Sequence, residues 1–241
     1  MVVRGAGSAL LVSAGVMSIA AASERWWPAC RPFGFDHPDC YRLQRDWYDY
    51  VAPAEPWVPV GDAAALAAVS LLLQALAVLV VVPALFDRKY RLLAGGVGLA
   101  MSVNLLFPAA ATWLSAEEGR AVDIPGLSTA MWFWIWGWPI IAFTAIVALS
   151  IFTPLGRRDG LRLLVIACLV ATAPLVEYFF VMPFFTLYTP YDTTPWTGAV
   201  SGVLLVVAGL AFWLAMRPSA WSDELRESPP PLRTIWMRGA T

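Results

Sequence analysis

The chain has 241 residues, 59% of them hydrophobic and 14% charged, with a net charge of −1. Soluble domains carry nearer a quarter charged residues, so this composition excludes an ordinary globular domain and points to the bilayer. No basic face is available to neutralise phosphates, which excludes a nucleic-acid partner.

A hydrocarbon core of about 30 Å needs about 20 residues of helix to cross it. Six apolar stretches fill most of the chain, at 5–23, 63–86, 92–116, 129–153, 161–188 and 196–216, and Pro, Gly or charged residues punctuate the junctions. The expected fold is an all-α integral membrane protein: one transmembrane helical domain over residues 1–216, built as a bundle of six helices. The first stretch is short and rich in small residues. With Arg4 before it and Ala20, Ala21 and Ala22 near its end, it also fits a cleaved secretory signal, which would leave five spans.

The loop 24–62 follows. Cys30 and Cys40 lie ten residues apart in it and can close a disulfide in an oxidising compartment. A zinc or redox pair fits less well, because there is no CxxC motif and the chain has a single His. Asp36, His37 and Asp39 read as a polar turn, so neither a metal nor a cofactor is expected. Residues 41–50, with Tyr41, Trp47, Tyr48 and Tyr50 between charges, suit a short amphipathic helix on a membrane surface.

Arginine and lysine set the orientation. With the N-terminus in the cytoplasm, eleven basic residues fall inside and five outside. Both termini are then cytoplasmic, the loop 24–62 is extracytoplasmic, and a bacterial cytoplasmic membrane is the expected location. The tail 217–241 contains Pro229, Pro230 and Pro231 and reads as an extended cytoplasmic segment.

Few polar side chains lie within the spans. Counted from the outer ends, Gln74, Asn104 and Glu177 each fall about 11 or 12 residues deep, roughly 17 Å down at 1.5 Å per residue. Glu177 is the one carboxylate inside any span. A charge at that depth costs a few kcal/mol, so it must face protein. No Arg, Lys or His lies level with it, and the expectation is a neutral carboxyl that donates to Asn104 or Gln74. The plain alternative is that all three serve as interhelical glue.

Aromatic residues crowd the level above. Trp132, Trp134, Trp136 and Trp138 alternate in the fourth span, and Phe180 and Phe184 lie in the outer half of the fifth. Interfacial anchoring explains most of them. Trp136 and Trp138 lie deeper, and with Phe180, Phe184, Gln74 and Asn104 they are candidate ligand-binding residues around a cavity floored by Glu177.

No nucleotide, metalloprotease or hydrolase motif is present. Three functions remain. The first is an accessory or scaffold subunit docking a membrane protein partner through its glycine-rich faces, Gly95, Gly96 and Gly98 or Gly198 and Gly202, or through the disulfide-closed loop. The second is a membrane enzyme acting on a lipid or isoprenoid, with Glu177 as catalytic general acid. The third is a small transporter or ligand-binding sensor.

Overall fold

A computed structural model of the chain describes residues 2–31, 35, 37–86, 88–137, 140–141, 144, 157–173, 176–177 and 193–216. Among these residues the regular structure is helical, with no strand. In chain order the helices are α1 (Val2–Trp26), α2 (Pro38–Leu43), α3 (Ala63–Leu85), α4 (Arg91–Glu118), α5 (Leu127–Trp132), α6 (Arg157–Ala171) and α7 (Ala199–Ala215). A 3-10 turn at Asp46–Tyr48 follows α2, and α5 runs on into a π-helical turn, Phe133–Gly137. By length and composition, α1, α3 and α4 are each able to cross a membrane, while α7 and the apolar part of α6 are shorter.

The helices pack in the spatial order α4, α3, α1, α7, α6. Small residues are mostly turned inward, and the exposed stripes are of large aliphatic residues. On α3, Ala67, Ala68, Ser70, Ala75 and Ala77 are buried, whereas Leu72, Leu76 and Leu79 are 40–45% exposed. Leu99, Val103 and Leu106 form a similar outward stripe on α4. Helices that associate in lipid gain by close packing of small residues, because leucine is as well accommodated in hydrocarbon as in protein.

The closest approach joins α1 to α7. A Cβ placed on Gly202 would stand 2.6 Å from the carbonyl oxygen of Gly15, so only glycine lets the two backbones meet here. One turn or more below, Ser8 Oγ donates to Gly209 O at 2.8 Å. Leu11 and Ala14 of α1 are fully buried in the cluster that Val81, Val165, Leu205 and Phe212 complete. The first apolar stretch is thus an integral wall of the bundle.

Several boundaries differ from the sequence expectation. α1 runs three residues further, to Trp26, because Arg25 in its last turn finds buried partners. The amphipathic helix expected over 41–50 starts earlier, at Pro38, and breaks at Gln44. Arg25 takes the carbonyls of Leu43 and Arg45, and Thr193 N takes that of Gln44, so these oxygens are withdrawn from a continuing helix. The fifth stretch, 161–188, carries Pro174, and α6 ends at Ala171 shortly before it. Pro174 has no backbone N–H and disfavours α geometry at Ala173 before it. Pro83 and Pro108, by contrast, sit inside α3 and α4 without ending them. Most of the residues expected at 138–153 and 178–192, and all of the tail 217–241, lie outside the described residues.

Candidate functional site

The loop between α1 and α3 folds into a cap over one end of the bundle. Cys30 and Cys40, both fully buried, form the disulfide that their spacing suggested. Trp196 Nε1 donates to Cys30 O at 2.8 Å, and Thr193 N donates to Gln44 O at 2.7 Å. The start of the disulfide-closed segment, and the chain just beyond its end, are therefore held to the segment that precedes α7.

Arg25 organises the underside of this cap. It is 2% exposed, and it bonds Leu43 O at 2.8 Å and Arg45 O at 3.2 Å and pairs with the Asp49 carboxylate. Its guanidinium also lies 4.3 Å from the Trp26 ring centre. Thr193 Oγ1 donates to the same Asp49 oxygen at 3.0 Å. Tyr50 OH donates to Thr197 O at 2.8 Å. Burial pushes the Tyr50 hydroxyl above its ordinary pKa, against the smaller opposite pull of the Arg25 guanidinium.

Beneath the cap lies a cavity of about 450 Å³, space for roughly 15 water molecules at their liquid volume. Its walls follow helical spacing. Ala67, Ser70, Leu71 and Gln74 form one stripe of α3, and Gly198, Ser201 and Leu205 form another at the start of α7. Trp134 closes the side from the π-helical turn, and Arg25, Asp49 and Tyr50 close the top. The wall thus mixes aliphatic carbon with hydroxyl, amide and carboxyl groups.

Glu177 is buried in this wall at 7% exposure. Its Oε1 accepts from Gly198 N–H at 2.9 Å. Gly198 is the N-cap of α7, with φ of +90°, a conformation that suits glycine. The Ser201 hydroxyl lies beside the same carboxyl, too loosely placed to count as a hydrogen bond. Glu177 therefore supplies, from the segment beyond α6, the cap that α7 has no side chain of its own to provide. A carboxyl there satisfies an otherwise orphaned N–H and meets the positive end of the helix dipole.

The expected polar layer resolves into separate pairs. Gln74 and Glu177 line one cavity, but they do not bond each other: Gln74 Nε2 donates to Thr172 Oγ1 at 3.3 Å. Asn104 lies outside the cavity, where its Nδ2 donates to Ala130 O at 2.7 Å and ties α4 to α5. The donation from Glu177 to Asn104 or Gln74 is replaced by acceptance from Gly198 N–H. Trp136 is 48% exposed and stacks on Trp132 at 6.1 Å, so it is Trp134, two residues earlier, that reaches the cavity. Trp138, Phe180 and Phe184 lie outside the described residues. His37 accepts from Asp39 N as the N-cap of α2.

Sequence reasoning passed over Ser70, Thr172, Arg25, Asp49 and Tyr50. A signal existed for Ser70, which stands four residues before Gln74 and so shares its face. Arg25, directly beyond an apolar span, carried the signal of a helix-end anchor only. Comparisons with protein-family models, characterised proteins and solved structures found no match for this chain.

Proposed function

We propose that this chain is a multi-pass protein of the cell membrane, with six spans and both termini in the cytoplasm, that binds the head of an amphipathic, lipid-class ligand beneath an extracytoplasmic cap. The observation that carries this reading is the cavity: about 450 Å³ of space, walled by apolar helix faces and by Gln74, Glu177, Ser70 and Tyr50. Small-molecule sites are concave, mostly apolar and fitted with a few polar groups, and they fall in this range of volume. The space suits a head group or a short isoprenoid end, whose tail would continue among the outward leucines. Binding of the kind a sensor or carrier uses fits better than acid catalysis, because Glu177 Oε1 is already engaged by Gly198 N–H.

An accessory subunit docking a membrane partner is the second reading, and one observation favours it. On α4 an added Cβ at Gly95 or Gly96 would meet nothing within 4 Å, and neighbouring Leu92 and Leu93 are 93% and 72% exposed. The Gly202 face, by contrast, is filled by α1 of the same chain.

Native mass spectrometry on protein extracted gently from its host membrane separates the two. A small bound mass that is lost in the cavity-filling variant Ala67→Leu supports the ligand-binding reading. A second polypeptide at fixed stoichiometry, with no small bound mass, overturns it in favour of the accessory subunit.

A further inference from the structure

The chemistry of the ligand can be narrowed by asking where the cavity's own protons go. A hydroxyl has one proton and two lone pairs, whereas a carbonyl oxygen can only accept. Each hydroxyl bonded to a carbonyl must therefore spend its proton there and keep only acceptor capacity for anything else. Five cavity hydroxyls are fixed in this way, that of Thr197 by Thr194 O. Ser18 Oγ donates to Gly198 O at 2.7 Å and Ser70 Oγ to Ala14 O at 2.8 Å. Tyr50 OH donates to Thr197 O at 2.8 Å and Thr172 Oγ1 to Leu169 O at 2.8 Å.

The cation in the wall does not offset this bias. Arg25 is spent on Asp49 and on the carbonyls of Leu43 and Arg45, so its charge is neutralised within the cap. An anion entering the cavity would leave its water shell to face hydroxyl lone pairs and the Glu177 carboxyl. Among the described residues the Trp134 indole N–H of the wall has no partner, and a hydroxyl or a neutral amine nitrogen, which accepts as well as donates, satisfies it.

On the reading that this cavity is a binding site, we propose that its ligand carries a head rich in N–H or O–H donors and free of negative charge. An amine or a polyol meets that description, and a phosphate, a carboxylate or a quinone ring does not. The donors of such a head would reach the spent oxygens of Ser18, Ser70 and Tyr50.

Three probes of equal chain length test this: octylamine, an octanediol and octanoate. Each is titrated calorimetrically against the full-length protein in nanodiscs, and the signal of empty nanodiscs is subtracted. The amine or the diol should bind about tenfold more tightly than octanoate. The tighter of the two identifies the amine or the polyol as the source of the donors. The variant Ser70→Ala, checked for unchanged helicity, should weaken the preferred probe several-fold and leave octanoate unaffected. Octanoate binding as tightly as either of the others overturns the donor-head proposal but leaves the cavity a binding site. No saturable binding of any probe overturns both.

Discussion

Replacing Gly202 with alanine probes the joint on which α1 and α7 depend. The new Cβ would stand 2.6 Å from Gly15 O and 3.0 Å from Ile19 N. Both are backbone atoms, so no rotamer change relieves the clash. To regain ordinary contact near 3.4 Å, the helices must part by about 0.8 Å at this level, and the Ser8–Gly209 hydrogen bond, about two turns away, stretches with them. Overpacking of this kind costs about 1–3 kcal/mol. A lost interhelical hydrogen bond adds about 0.6 kcal/mol, and the better helix propensity of alanine returns up to about 1 kcal/mol. The net loss should be about 1–3 kcal/mol, a fall in melting temperature of roughly 2–12 °C for a chain of this size. The control is Gly95→Ala, where nothing lies within 4 Å and propensity alone should raise the melting point. The assay is thermal unfolding of both variants in the same detergent. If Gly202→Ala melts at or above the parent, α1 and α7 are not joined through this contact.

Glu177 gives a second test. In Glu177→Gln the amide oxygen can still accept from Gly198 N–H, and the expected loss is small, under about 1 kcal/mol. Glu177→Leu leaves that half-buried N–H unpaired, which costs about 1–3 kcal/mol. Thermal unfolding should rank the parent above Gln and Gln above Leu; a leucine variant as stable as the glutamine variant contradicts the capping role. Removing the disulfide with Cys30→Ala and Cys40→Ala should cost about 3 kcal/mol in the chain-entropy account, read as a lower melting point and faster proteolysis within the loop 27–62. Tyr50 predicts an alkaline effect. Its folded-state pKa is raised by burial, so the stability it contributes is whole below the unfolded value near 10 and is lost as pH rises through the folded value. Tyr50→Phe should be less stable at neutral pH and lose less between neutral and strongly alkaline pH; an identical alkaline slope in both proteins rules this out.

The elements that could be read from the sequence are those whose cause is local. α3 and α4 match the expected spans to within two residues at each end, because charged residues mark where hydrocarbon stops. The disulfide was legible from two cysteines in one polar loop. Glu177 was legible as a residue needing explanation, since a carboxylate within an apolar span has few tolerable placements. Its partner was not. A backbone N–H at a helix start leaves no side-chain signature, and Gly198 meets Glu177 only through the fold. Rotation of α4 about its axis was not readable, and it turns Asn104 toward Ala130 and away from the cavity. Arg25, Asp49 and Tyr50 are brought together by the folding of the cap, which neither hydropathy nor spacing encodes.

The most direct test of the ligand-binding account is the accessibility of Ser70, which is buried at 5% exposure in the cavity wall. Ser70→Cys, made with Cys168→Ala to remove the free thiol, is treated in intact cells with a small membrane-impermeant thiol reagent. The account predicts modification from outside, slowed several-fold when Ala67→Leu is added to fill the space. Modification only after denaturation, or only from the cytoplasmic side of inverted vesicles, would contradict a cavity that opens beneath an extracytoplasmic cap.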